Sequence, residues 1–295
     1  MRIIVNSPPK CGNVWLRELL SEAYGLPKIT VSDAAAGSGQ ALEAELIVNA
    51  NSESFVTYCH IPPLEDYFSR AVKNLDAQVV SIIRNPYDIF VSLFHYIQKH
   101  SEHFKSSEHP LNPLVGKSID SPQVLEYLIR DQYGLNDHIS FLEDLSKASR
   151  LNEAAFGEWH YRAHGKSEGR YLGLADPPDT STEDDYIAYV HAHSDLLNVF
   201  NARYVPLSWM LVRYEELLDR QAECLFELSQ SIEPIGHAAC EAAWLACTPE
   251  EMRKANPTHV REAKAGEGAT LPASVLSVIR DHYSERIATL GYEVL

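Results

Sequence analysis

The sequence lacks paired cysteines. Its five, at positions 11, 59, 224, 240 and 247, are odd in number and contain no C-x-x-C. That pattern suggests neither a disulfide framework nor a zinc site, and a reducing, cytoplasmic compartment is the expectation. Positive charge is scarce too: 25 Lys and Arg against 41 Asp and Glu give a formal net charge of −16. A general nucleic-acid surface is thereby excluded, and any anionic ligand must be gripped by local cations against an unfavourable overall field. No apolar run approaches the roughly 18 residues of a membrane span. The Pro8-Pro9 pair, so soon after the first apolar run, is read as leaving no room for an apolar signal region. Also missing is the G-x-x-x-x-G-K-[ST] loop of the common nucleotide-binding proteins. What remains is a chain of 295 residues with an ordinary 45% hydrophobic fraction, which suits one α/β domain over 1–295.

The chain is organised around its first turn. The apolar run Ile3-Ile4-Val5 enters Ser7-Pro8-Pro9-Lys10-Cys11-Gly12-Asn13, and Val14, Leu16, Leu19, Leu20 and Tyr24 then recur at helical spacing. A strand, a tight turn with Gly and Lys, and a helix together present backbone N–H groups and a helix N-terminus to an anion. Phe55-Val56-Thr57-Tyr58-Cys59 predicts a second strand, delivering His60 just past its carboxyl end, where open α/β sheets bind ligands. Ala77–Ile83 predicts a third, buried on both faces, followed by Arg84-Asn85-Pro86-Tyr87-Asp88 at the head of a helix that carries Ser92. Asp88 falls in that helix's first turn, where a carboxylate suits the dipole. Trp209–Arg213 predicts a fourth strand leading to Tyr214-Glu215-Glu216-Leu217. Two helices follow near Cys224–Ile232 and Cys240–Cys247, and an amphipathic helix over 272–289 closes the chain. Ala34–Gln40 reads as a loop, as does the polar, proline-punctuated stretch 98–122. The region from Val124 to Leu145 reads as two helices broken near Gly134. His95, His100, His103 and His109, with Glu102 and Glu108, fit no standard metal-ligand spacing. Cys11 is read as a small residue that fits the turn, with a lowered thiol pKa beside Lys10 as the alternative.

Pro9-Lys10-Cys11-Gly12-Asn13-Val14-Trp15-Leu16 resembles the phosphosulfate-binding loop of the cytosolic-type sulfotransferases. Cys59-His60-Ile61-Pro62 is similar to the segment that carries their catalytic base. Arg84-Asn85-Pro86-x-Asp88-x-x-Val91-Ser92 resembles their 3′-phosphate site, and Val260–Gly268 lies where they have a glycine-rich phosphate segment, with Arg261 and Gly266 matching. There Glu262, Ala263 and Gly268 replace a lysine, a glycine and a tryptophan. The resemblance spans 1–142 and 205–295. It leaves an expected insertion, or lid, at about 146–195, with the acidic run Asp176–Asp185 exposed.

The resemblance implies a parallel sheet flanked by helices in a nucleotide-kinase-like sulfotransferase fold. It implies transfer of the sulfuryl group of 3′-phosphoadenosine-5′-phosphosulfate (PAPS) to an acceptor hydroxyl or amine, leaving 3′,5′-adenosine diphosphate (PAP), with no metal. His60 would be the general base, a task that the ordinary imidazole pKa of about 6.5 suits. Lys10 would neutralise charge on the bridging oxygen. Cys11, Gly12, Asn13 and Val14 would line the phosphate loop, and Trp15 would stack on adenine. Tyr214 would lie near the adenine, as would Thr248 or its neighbour Cys247, and Arg84, Ser92 and Arg261 would hold the 3′-phosphate. Expected partners are a small-molecule or carrier-bound acceptor, with self-association left open. Two other readings stay in play: an ATP-dependent phosphotransferase, and a sulfotransferase-like protein that binds nucleotide without turnover.

Overall fold

A computed structural model describes residues 1–49, 54–61, 66–106, 111–130, 135, 139–144, 210–255 and 264–295. Strands β1 (Arg2–Asn6), β2 (Phe55–Cys59), β3 (Gln78–Ile83) and β4 (Met210–Arg213) form one parallel sheet in the order β2-β1-β3-β4. Each grows from one of the short apolar runs seen in the sequence. The register sets Asn6 beside Cys59, Val5 beside Val80, and Ile83 beside Arg213. The four carboxyl ends therefore share one edge, and Ser7, His60, Arg84 and Tyr214 are the first residues past it. From β1 the chain crosses to β2 on one side, then returns over β1 to β3 on the other. That reversal opens a crevice at the end of β1, the place where such sheets bind ligands.

The two central strands are covered on both faces, which is why Ile3-Ile4-Val5 reads as continuously apolar rather than alternating. Ile3, Val5, Val80, Ile82 and Val212 face α1 (Asn13–Tyr24) and the pair that follows β4 later in the chain, meeting Leu16, Leu19, Leu225 and Trp244. On the opposite face Ile4, Phe55 and Val79 meet Leu42, Leu46, Phe68 and Val72. These come from α3 (Gly39–Asn49) and α4 (Asp66–Asn74), which follow the short α2 (Asp33–Ala36). Ile83 joins a third cluster, built on α5 (Pro86–Lys99), α7 (Pro122–Arg130) and the closing α12 (Ala273–Thr289). Full burial of each Ile in β1 is worth about 1.5–3 kcal/mol. Between β4 and α12 lie α8 (Tyr214–Arg220), α9 (Ala222–Ile232), α10 (His237–Ala246) and α11 (Pro249–Ala255).

Two loop expectations are corrected. Ala34–Gln40 is mostly helical, comprising the end of α2 and the start of α3. The Ser32 side chain accepts the Ala35 N–H at 3.3 Å as N-cap, and alanine is the strongest helix former. The stretch 98–122 is also more than a loop: it contains α6 (Ser101–Phe104), a 3₁₀ turn at Asn112–Leu114 and the start of α7. Phe104 and Leu114 anchor it in the core, and Gln98 ties its start to the 3₁₀ turn, donating to the Leu114 carbonyl and accepting the Gly116 N–H. Among the described residues no helix is long and apolar enough to cross a membrane, and no cluster of His, Cys, Asp or Glu is suited to a metal. The expected insertion at 146–195, Arg261 and the proposed break near Gly134 lie outside the described residues.

Candidate functional site

The turn after β1 is held from below by two polar residues at the strand's end. Asn6 is fully buried; its amide donates to the Ile61 carbonyl at 2.9 Å, while its Oδ1 accepts the Ile61 N–H at 3.0 Å. The Ser7 hydroxyl accepts the Ile82 N–H at 2.7 Å, and the Ser81 hydroxyl donates to the Asn6 carbonyl at 2.6 Å. These bonds lock the ends of β1, β2 and β3 into one rigid frame. Above it the chain turns through Lys10 and Gly12, both with positive φ, 70° and 107°. The left-handed conformation costs a lysine on the order of 1–2 kcal/mol. At Gly12 a side chain is doubly barred, since a Cβ would also stand 2.9 Å from Tyr214. Gly12 is the N-cap of α1 and brings no side chain of its own to cap the helix. Its first N–H groups have no partner within the helix.

His60 is fixed by its backbone on both sides. Its own N–H donates to the Ala36 carbonyl at 2.7 Å; Asn6 grips Ile61, and the Ser7 N–H donates to the Cys59 carbonyl at 3.3 Å. The ring is held as well: Nδ1 lies 2.7 Å from the Ser7 carbonyl and 3.1 Å from the Asn13 amide nitrogen, and the Tyr58 ring is 5.5 Å away. The arrangement brings the expected base against the first turn of α1, across 47 residues of sequence.

Arg84, on the other side of the crevice, is 7% exposed. Its guanidinium donates to the Lys10 carbonyl (3.3 Å) and the Lys264 carbonyl (2.9 Å), lies 3.9 Å from Asp88, and stacks 4.4 Å from the Tyr214 ring. Of the five donors of an arginine, Nε is buried and bonded to nothing among the described residues. Tyr214 in turn meets Trp15 edge-on at 5.6 Å. Trp15 is deeply buried, with its indole N–H donating to the Cys247 carbonyl at 2.7 Å and its ring 5.4 Å from Trp244. Gly12, Trp15, Tyr214 and Arg84 thus form one packed stack beside the turn. Thr248, the next residue after Cys247, caps α11 by accepting the Glu251 N–H.

Sequence reasoning missed the purpose of three residues here. Asp88 is 1% exposed and accepts the N–H groups of Gly266 (2.8 Å) and Gly268 (2.6 Å), pinning the carboxyl-terminal segment to α5. Gly268 approaches so closely that a Cβ there would lie 2.3 Å from that of Tyr87, which accounts for glycine where the resemblance expects tryptophan. Glu215 accepts the Asn85 N–H at 2.8 Å, while burial, the largest influence, raises its carboxyl above the ordinary value. Asn6 is the third; a polar pair directly after the apolar run Ile3–Val5 is its only sequence signal.

The Lys10 ammonium lies 4.0 Å from the centre of the Tyr96 ring. Tyr96, Ser92 and Asp88 are spaced by four residues along α5, so they share one face, and Ser92 is half-buried between the lysine's contact and the clamp on Gly266 and Gly268. Cys11 is fully buried, and burial pushes its thiol pKa well up. That agrees with a small residue filling the turn and runs against the lowered thiol pKa of the alternative. Val14 is half-buried against the core cluster under α1.

Comparison with known proteins bears on this arrangement. Residues 1–165 match the family model of the sulfotransferase domain. Mouse sulfotransferase SULT7A1 complexed with PAP has a similar fold, at a TM-score of 0.59 and 13% identity over 98% of this chain and 88% of that one. So does retinol dehydratase in complex with androsterone and inactive cofactor PAP, at 0.54 and 11% over 97% and 80%. At such identities the likeness is one of fold alone. No curated protein sequence matches the chain. With more than half of its length under the family model, and a parallel four-stranded sheet ending in these three turns, the chain belongs to the sulfotransferase domain family.

Proposed function

We propose that the chain is a PAPS-dependent sulfotransferase acting on an acceptor hydroxyl or amine. The observation that carries this reading is the N-terminus of α1, opened by Gly12, with Lys10, His60 and Arg84 gathered around it. Such a helix end, with oriented backbone N–H groups and a cation, takes a phosphate or sulfate group. The residues present fit a ligand with two anionic ends. The buried Arg84 Nε, without a partner among the described residues, is a second anion-seeking donor, with the half-buried Ser92 hydroxyl on the helix that follows it. PAP-bound structures of similar fold support the same ligand class.

When bound, PAPS supplies the sulfuryl group and leaves as PAP. The protein's own task is then positional and electrostatic. The α1 N–H groups and Lys10 hold the phosphosulfate end, and the lysine ammonium offsets charge growing on the leaving oxygen. His60 Nε2 takes the proton of the acceptor. Arg84, Ser92 and Arg261 hold the 3′-phosphate, and Tyr214, Trp15 and Thr248 border the adenine side. A cytoplasmic setting is part of the same reading. Incubation with radiolabelled PAPS and a panel of phenol, alcohol, sugar and amine acceptors is expected to label at least one product. Phosphoryl transfer from ATP in place of any sulfuryl transfer would overturn the reading.

A further inference from the structure

Three contacts border the crevice without a part in the scheme above: Lys10 over Tyr96, Arg17 over Tyr58, and Asn13 against His60. The last is the most completely determined. Asn13 is 4% exposed, in the first turn of α1. Its amide Nδ2 donates to the Ser7 carbonyl at 3.0 Å and lies 3.1 Å from His60 Nδ1, which itself lies 2.7 Å from the same carbonyl.

The geometry decides where the imidazole proton sits. An unprotonated Nδ1 could accept from the Asn13 amide at 3.1 Å, but its lone pair would then stand only 2.7 Å from a carbonyl oxygen, acceptor against acceptor at the shorter of the two contacts. With the proton on Nδ1, the contact becomes a short hydrogen bond to Ser7, and Nε2 carries the ring's basic lone pair. Turning the Asn13 amide over would bring Oδ1 to the nitrogen's position 3.0 Å from the Ser7 oxygen, again acceptor against acceptor, so the amide orientation is fixed by the same carbonyl. The Asn13 Oδ1 is buried without a partner among the described residues, so its retention is not explained by a satisfied bond of its own. Burying an unpartnered carbonyl costs about 1–3 kcal/mol.

We infer that Asn13 is a positioning residue for His60: it fastens the Ser7 carbonyl against the first turn of α1, so that this carbonyl holds the imidazole as the Nδ1–H tautomer, with the basic lone pair on Nε2. This departs from the loop to which the sequence is similar, where a small hydroxyl residue stands at the position of Asn13. Its side chain serves the base, and only its backbone N–H remains for the anion. The inference rests on the proposed use of His60 as a base, but the tautomer itself is a property of the protein without ligand.

The test therefore begins there. In protein labelled with ¹⁵N-histidine, long-range ¹H–¹⁵N correlation spectra at about pH 8, where a free imidazole is neutral, report each ring nitrogen. The His60 signals are identified by their loss in His60→Gln. Wild type is expected to show a protonated Nδ1 and a bare Nε2, and Asn13→Ala a mixture of tautomers. Asn13→Ser, which keeps a small donor to Ser7, is expected to restore most of the wild-type pattern. With an acceptor in hand, Asn13→Ala is expected to lower kcat about tenfold with the KM for PAPS changed less than twofold. A proton on Nε2 in the wild type would overturn the inference whether or not the variants fold. So would an unchanged tautomer in a folded Asn13→Ala protein. Neither outcome touches the identity of the donor, which is read from nucleotide binding.

Discussion

Asp88→Ala is expected to destabilise the fold by about 3–5 kcal/mol, because it strands buried donors around a buried cation. Asp88 is nearly inaccessible, accepts the N–H groups of both Gly266 and Gly268, and stands 3.9 Å from the Arg84 guanidinium. Removing the carboxylate leaves two backbone N–H groups unpartnered and an arginine whose nearest anion is gone. For a chain of this size the loss corresponds to a fall in the melting midpoint on the order of 10 °C. Asp88→Asn should fall between the two, since one amide oxygen still accepts while the NH₂ opposes the other N–H. Thermal unfolding followed by circular dichroism measures both. An Asp88→Ala midpoint within 2 °C of wild type, roughly the error of one kcal/mol, would mean the carboxyl-terminal segment is held by other contacts.

The second large effect concerns turnover. His60→Ala removes the base while leaving the α1 N-terminus, Lys10 and Arg84 in place. Sulfuryl transfer to the acceptor found with labelled PAPS is expected to fall by about 10²–10⁴-fold, the usual worth of a positioned general base. PAP affinity, measured on the same preparation, should change by less than about threefold. If the variant loses PAP binding together with activity, His60 is a structural bracket between Ala36, Ser7 and Asn13 rather than a base.

What could be read from the sequence were the places where an apolar run stops at distinctive turn chemistry. Ile3–Val5, Phe55–Cys59 and Ala77–Ile83 announce buried parallel strands, and the residues just past them, Lys10, His60 and Arg84, gather at one edge because the register aligns the strand ends. The bonds that make the site rigid were not legible. Asp88 meets Gly266 and Gly268 across 178 and 180 residues, and Asn6 meets Ile61 across 55. Nothing local in a first-turn carboxylate distinguishes a helix-dipole partner from a clamp. Ala34–Gln40 misled because its glycines and serine outweighed a three-alanine run that needs only Ser32 as a cap. The stretch 98–122 misled because its polar composition hides two anchors, Phe104 and Leu114. Gly268 looked like damage to a phosphate motif; the absence of a Cβ is what lets that turn close on Tyr87.

The central claim, that the crevice between the turn after β1 and Arg84 holds a nucleotide with a 3′-phosphate, is tested most directly by calorimetric titration with PAP, 5′-AMP and ATP, on wild type and on Arg84→Lys. Arginine presents a fork of donors that lysine cannot reproduce. Micromolar binding of PAP is expected, with AMP weaker by at least about tenfold, or about 1.4 kcal/mol, and with that difference lost in a folded Arg84→Lys protein. Preference for ATP over PAP, or no binding of PAP at all, would contradict the claim.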